Sequence, residues 1–264
     1  MIHALKDYIR FGLQLVTGWR TKHERWIADL RRIDLSSYCD GQGRLTVLDL
    51  ANGQLRPQYK ILRAEGQRVY GIDMVNRPKR GWKDYVSTIA RALYARGLQP
   101  DHSAFDDTLV CGDVSILPFH GESFDLVTSV AAFEHFLNVP MVVKETYRVL
   151  RPGGILWALV HLFSSPSGGH NVSLAEVPLR NIPPGIEPWD HLRKRRLRFH
   201  VPLNEWRRNQ YLAEFCKNFE IIKQYCALRE GEHLLTPEIE QELSDYTRND
   251  LTCGAYVIVA RKPS

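Results

Sequence analysis

The chain has 264 residues, of which 44% are hydrophobic and 25% charged, and its formal net charge is +5. That length suits an α/β unit with insertions, and the apolar share fills a core. The charge is too mild for an extended nucleic-acid-binding face, so no nucleic-acid partner is expected. The five cysteines, at 39, 111, 216, 226 and 253, form no Cys-x-x-Cys pair and no cluster with histidine. Cys111 and Cys226 are read as core residues, the compartment as a reducing cytoplasm, and no metal centre is expected.

Residues 2–32 read as a helix through Ile2, Leu5, Ile9, Leu13 and Val16, turning basic toward Arg31 and Arg32. A packing or lid helix accounts for it. A helix lying on an anionic membrane surface is the sharper alternative. Lys6, Asp7 and Arg10 interrupt the apolar run, so a membrane span is not expected.

Strands are predicted at Thr46–Leu50, Val69–Ile72, Leu109–Cys111, Phe124–Ser129, Ile155–Leu162, Glu220–Tyr225 and Ala255–Ala260. The first five alternate with helical or loop sequence, the pattern of a parallel sheet with right-handed crossovers. Asp73 and Asp113 are 40 residues apart, and the connection holds Trp82, Tyr85, Val86, Ile89, Leu93 and Tyr94 at helical spacing. A second long segment, 163–202, is rich in Gly, Pro, His and Arg.

Between Gly112 and Gly154 lies an ordered series: Gly112-Asp113, Leu117-Pro118-Phe119, Ser123-Phe124-Asp125-Leu126-Val127, Glu134-His135, Glu145 and Arg148-Val149-Leu150-Arg151-Pro152-Gly153-Gly154. This series strongly resembles the second half of a class I S-adenosyl-L-methionine (SAM) dependent methyltransferase domain. The resemblance covers about residues 44–162. It implies a doubly wound, mostly parallel, seven-stranded Rossmann-like sheet with an antiparallel last strand. The expected organisation is a helical extension or lid over 1–43, then the methyltransferase domain over 44–264 with insertions near 76–106 and 163–202. Those insertions are expected to cover the acceptor side of the pocket.

The resemblance also assigns cofactor residues. The first strand and its loop keep Asp49 and Gly53 of the family's acidic-x-Gly-x-Gly-x-Gly pattern but carry Ala51 and Leu55 at glycine positions, with Asn52 between. Alanine resists the positive φ that glycine gives such turns. Asp73, 24 residues beyond Asp49, matches the acid that accepts the ribose hydroxyls. Met74 is placed on the adenine edge, Asp113 and Val114 at the adenine amino group, and Ser129 and Val130 beside the methionine moiety. Arg151-Pro152-Gly153-Gly154 reads as a helix stop and tight turn.

Methyl transfer from a sulfonium needs alignment above all, and a hydroxyl acceptor must in addition lose a proton. His135, His161 and His170 follow the fourth and fifth strands and are the candidate bases. His170 sits in Ser167-Gly168-Gly169-His170, read as a loop able to close over substrate. Pro188-Trp189-Asp190-His191 is a second pocket candidate beside the basic run Arg193–Arg198, which suits an anionic acceptor or a solvated face. The expected function is O-methylation of a small or glycan-like acceptor, with peripheral membrane contact left open. The alternative is a methyltransferase-like scaffold or partner-activating subunit with a degenerate cofactor loop.

Overall fold

The computed structural model describes residues 28, 30–36, 42–53, 56–76, 81–82, 85, 89, 108–170, 186–196, 199 and 201–264. Most of the N-terminal segment, of 76–106 and of 171–185 therefore lies outside the described residues, and with it the expected lid and much of both insertions. Within 76–106, Trp82, Tyr85 and Ile89 are helical and exposed.

The described elements run β1 Thr46–Leu50, α1 Pro57–Ala64, β2 Arg68–Ile72, β3 Leu109–Val110, β4 Phe124–Val130, α2 Val139–Val149, β5 Leu150–His161, α3 Arg208–Phe215, β6 Glu220–Arg229, α4 Pro237–Glu242, α5 Arg248–Thr252 and β7 Cys253–Arg261. The seven strands form one sheet of order β3-β2-β1-β4-β5-β7-β6. β1 and β3 pair parallel with β2, whereas β7 runs antiparallel to both β5 and β6. This is the expected α/β sheet. The chain divides into two compact units, 1–128 with 149–154 and 129–148 with 155–264, so β4 and β5 each contribute to both.

In the first unit, β1 buries four successive residues after Thr46, and α1 buries Pro57 through Leu62. A strand covered on both faces needs apolar residues without alternation, which Val47-Leu48-Asp49-Leu50 supplies except at Asp49. Tyr70, Phe119 and Phe124 meet edge to face, with centroids 5.1–6.1 Å apart. The Arg-Pro-Gly-Gly segment departs from the expected turn, because Leu150 through Gly154 already belong to β5. Arg151 caps this junction by pairing with buried Asp125, whose other oxygen accepts the Thr46 amide at 2.8 Å.

In the second unit, α2 buries Val139, Val142, Val143, Thr146 and Val149, a stripe at helical spacing. β5 from Ile155 to Val160 and β7 from Cys253 to Ala260 are buried throughout. Trp189 is 0% exposed and packs with Leu235, Ile239, Leu243 and Leu251. Its indole N–H lies 3.1 Å from the carbonyl oxygens of both Ser164 and Leu251. Cys253 is buried, but Cys111 is exposed and Cys226 only half-buried. The core placement expected for those two fails because β3 ends at Val110 and β6 is an edge strand.

Replacing Trp189 by alanine is expected to cost about 3–5 kcal/mol, since it opens a cavity and strips two buried carbonyls of their donor. Urea unfolding measures this. A loss under about 1 kcal/mol would mean that the indole is not a core anchor.

Candidate active site

Three loops of the first unit come together at the carboxyl ends of β1, β2 and β3. The Ala51 amide donates to Ile72 O at 2.8 Å, the Asp73 amide to Val110 O at 3.2 Å and the Gly112 amide to Asp73 O at 3.4 Å. The Asn76 side-chain amide adds a bond to Val110 O at 2.8 Å. Asp73 binds the loops with its carboxylate as well: Oδ2 accepts the Gly53 amide and Oδ1 the Val75 amide, both at 2.8 Å. Each carboxylate oxygen has a second lone pair, so Asp73 retains acceptor capacity.

Met74, in the β2 loop, and Ile116, after β3, are each 74% exposed. Such apolar side chains beside polar loops offer surfaces for a flat ligand. Asp113 is exposed and its Oδ1 accepts the Ser115 amide at 2.8 Å, while Val114 is buried. Ser129 and Val130 end β4, Ser129 fully buried and Val130 partly exposed.

The degenerate β1 loop keeps the glycine-type backbone. Ala51 adopts φ 51° and Gly53 φ 65°, so alanine occupies the left-handed region that the pattern reserves for glycine. Asn52 is buried, and a Cβ at Gly71 would approach its Nδ2 to 2.1 Å. Only glycine at 71 leaves room for that side chain. Among the described residues, neither polar atom of the Asn52 side chain nor Asp49 Oδ2 has a hydrogen-bond partner. Each such atom costs about 1–3 kcal/mol. A ligand rich in hydroxyl, ammonium and amide groups would remove that cost, so these residues fit a nucleoside–amino-acid cofactor such as SAM.

Burial pushes the Asp49 carboxyl up to about 7, against the opposing Thr128 hydroxyl and, more weakly, the Tyr59 amide. The Thr128 hydroxyl donates to Asp49 Oδ1 at 3.0 Å.

The second unit gathers the three candidate histidines. His135 closes the 3₁₀ turn Phe133–His135, His161 ends β5, and His170 follows the Ser167-Gly168-Gly169 turn. The His170 ring lies 4.8 Å from that of His135 and 4.5 Å from that of His161. Beneath them Glu134 is 2% exposed, and its Oε2 accepts the His161 amide at 3.3 Å. Oε1 stands 4.0 Å from His135 Nε2 and 3.9 Å from His170 Nε2.

The surrounding bonds fix this group. Asn204 donates from its side-chain amide to Phe133 O at 2.7 Å and Phe136 O at 3.0 Å, and its own amide donates to Glu134 O at 2.9 Å. The Tyr211 hydroxyl donates to Asn204 Oδ1 at 2.8 Å; burial raises its pKa, and Glu134 adds to the rise. His135 Nδ1 lies 3.0 Å from Pro202 O, which only accepts, so Nδ1 carries a proton. His161 Nε2 lies 2.8 Å from Ser167 Oγ, which donates in turn to Glu230 Oε1 at 2.5 Å. Ser167 therefore accepts from His161 Nε2–H, and the basic lone pair falls on Nδ1. Asn204, Tyr211, Ser167 and Glu230 were not legible as site residues, since no spacing links them to the Glu-His pair.

The described part of the His170 turn is closely packed. A Cβ on Gly168 would lie 2.3 Å from Phe163 O, and one on Gly169 2.8 Å from His191 Cβ. Close packing therefore demands both glycines, and His170 itself sits at φ 47°. The Trp-Asp-His group forms no pocket lining either. His191, whose pKa burial lowers, points Nε2 at Phe163 O at 2.7 Å, and Asp190 is 1% exposed beside the Trp189 core. The basic run is matched by acids: Arg193 with Glu187 and Glu242, Lys194 and Arg196 with Glu187, and Arg195 with Glu205. Arg198 lies outside the described residues.

Two substitutions test the β1 loop. Ala51→Gly removes a left-handed alanine worth about 1–2 kcal/mol, so the melting temperature is expected to rise by about 2–4 °C. A fall would contradict the strained geometry. Asp49 has a higher pKa folded than unfolded, so its contribution favours the fold below about pH 4 and is lost as pH rises through about 7. Asp49→Asn is therefore expected to gain on the parent between pH 5 and pH 8 by an amount on the order of a few kcal/mol in urea unfolding of the ligand-free chain. A constant difference would show that Asp49 is not held protonated.

Residues 48–158 match the family described as "Methyltransferase domain". The ubiquinone/menaquinone biosynthesis C-methyltransferase of Paracoccus denitrificans is 32% identical over 157 residues, 59% of this chain and 52% of that protein. The sterol 24-C-methyltransferase of Candida albicans is 28% identical over 178 residues, 66% of this chain and 39% of that one. The chain thus spans about half the length of the first relative and less of the second. Among solved structures, phosphoethanolamine N-methyltransferase 2 of Haemonchus contortus in complex with SAM gives a TM-score of 0.53 at 19% identity, over 91% of this chain and 53% of that one. A SAM-dependent methyltransferase from Methanosarcina mazei gives 0.51 at 19%, over 86% and 95%. At such identity these two show the fold. The family match runs over residues 48–158, from β1 into β5 of that fold.

Proposed function

We propose that this chain methylates a hydroxyl of a small-molecule acceptor, with SAM held by the loops of the first unit and proton removal served by the histidine cluster. The observation that carries the reading is the convergence of His135, His161 and His170 over buried Glu134, which cofactor binding does not require. Asp73 is assigned to the ribose hydroxyls, Met74, Asp113 and Val114 to the adenine, and Asp49, Ala51, Asn52, Gly53, Ser129 and Val130 to the methionine side.

When bound, SAM supplies an electrophilic methyl group on a sulfonium. The acceptor oxygen forms its bond to that carbon as the carbon–sulfur bond breaks, and the electron pair stays on a neutral thioether. The hydroxyl proton must go elsewhere, and His161 is the best-prepared acceptor. Its Nε2–H is held by Ser167 and, through Ser167, by Glu230, so Nδ1 is the basic atom and the ring cannot swing. His135 and His170 are the other candidate bases.

The basic run carries no part of this reading, since its described members have acid partners. An anionic or glycan acceptor therefore has no support from it. A second reading, methylation at a carbon beside a hydroxyl, is favoured by the C-methyltransferase names of the relatives. It uses the same proton removal where the acceptor is a phenol or enol, whose deprotonation makes the unsaturated carbon beside the oxygen nucleophilic; on a phenol ring the methylated carbon then loses its own proton and the oxygen regains one. Among the described residues no helix is long and apolar enough to cross a membrane.

Asp73→Ala is expected to weaken SAM binding at least tenfold in calorimetry, since hydrogen bonds to a charged group are each worth about 1.5–3 kcal/mol. Unchanged affinity in a folded variant would refute the ribose assignment. Alanine at the operative histidine is expected to lower kcat by about 10²–10⁴ with SAM affinity intact. If all three single variants kept parental turnover, base catalysis here would be excluded. Carbon-13 NMR of the methylated product separates the two acceptor atoms, an O-methyl carbon appearing far downfield of a C-methyl one.

A further inference from the structure

We propose that Glu134, His135 and His170 form a binding site for one divalent transition-metal ion of the zinc, manganese or iron(II) class. Each of the three residues offers one ligand atom, and these atoms all lie within 4.8 Å of one another. Two imidazoles and one carboxylate are the donor set that borderline divalent metals take when positions are left for substrate or water.

The spacing fits a shared cation better than a direct ion pair. An imidazolium closes on a carboxylate to about 2.7–2.9 Å. Here both histidines keep Nε2 at 3.9–4.0 Å from Glu134 Oε1. Ligands of one tetrahedral metal, at bond lengths of about 2.0–2.1 Å, stand about 3.3 Å apart.

The outer hydrogen bonds are those a metal site requires. A ligating histidine donates its other ring N–H to a carbonyl or carboxylate, which fixes the tautomer. His135 does so through Nδ1 to Pro202 O. Glu134 is anchored by the His161 amide on Oε2, which turns Oε1 toward the two rings. Asn204 locks the turn that carries both residues, and Tyr211 locks Asn204. His170 is fixed by a left-handed backbone and by two glycines with no room for a side chain.

A metal here would take the acceptor's oxygen into an open coordination position and orient it. That role rests on the methyl-transfer reading, whereas the site itself does not. The base assignment is compatible with it, since His161 stands outside the ligand set.

The test is a cobalt(II) titration of the chelator-treated full chain, followed by visible absorption, with zinc competition and metal analysis after desalting. The expected result is one ion per chain, with the intense visible bands of four- or five-coordinate cobalt. Affinity should fall at least tenfold in His135→Ala, His170→Ala and Glu134→Gln. It should change less than about threefold in Ser167→Ala, which touches none of the ligand atoms. Glu134→Gln keeps side-chain volume and an acceptor for the His161 amide, so it guards against loss by misfolding, and SAM calorimetry on each sample confirms the fold. Absence of saturable cobalt and zinc binding by the parent chain, or binding unchanged in His170→Ala and Glu134→Gln, would overturn the proposal. SAM binding without metal binding would sink the metal site and leave the methyl-transfer reading standing. Metal binding with no transfer to any acceptor would do the reverse.

Discussion

Burying a carboxylate is the costliest thing this sequence does, and the loops around its functional residues are organised by how each buried acid is compensated. Asp49, Asp125 and Glu134 are all nearly inaccessible to water, and each solves the problem differently. Asp125 is paired with Arg151 and a backbone amide, a structural solution that ties β4 to the start of β5. Asp49 has a threonine hydroxyl and the Tyr59 amide, which do not offset its burial, so its carboxyl is pushed up to about 7. Glu134 sits among histidines. A buried charge left without compensation costs several kcal/mol, which is why such positions attract ligands, protons or metal ions.

That cost explains why the degenerate glycine pattern does not dismantle the β1 loop. Ala51 stays in the left-handed region because its amide, the Gly53 amide and the Asp73 carboxylate are tied to neighbouring strands. Those bonds outweigh a strain of about 1–2 kcal/mol. The sequence pattern alone suggested a weakened motif, but backbone pairing across three loops preserves the turn. Asn52 against Gly71 shows the same logic, with a side chain filling the space that a missing Cβ provides.

The second unit shows where linear reading fails. Gly168-Gly169 looks like a hinge in sequence, yet both glycines are demanded by contact with Phe163 and His191. Trp189-Asp190-His191 looks like a pocket wall or a wet helix start, yet all three are buried, and the Trp189 and His191 ring nitrogens meet backbone carbonyls. The basic stretch looks like an anion trap, yet glutamates from three separate parts of the chain pair with it. In each case the deciding partner lies outside the motif itself, and composition carries no information about such partners.

The α/β class, the chain positions of the strands and, through the resemblance to class I methyltransferases, the antiparallel last strand were legible in residue patterns. Those features depend on local rules: apolar runs of strand length, an acid after a strand, a fixed order of short motifs. The tertiary structure alone decided that His135, His161 and His170 share one cluster over Glu134. It alone supplied Ser167, Glu230 and Asn204 to orient them. The physical reason is that hydrogen-bond directions, ring tautomers and burial are set by groups 6 to 71 residues apart along the chain. Only folding brings such groups within 3 Å of one another.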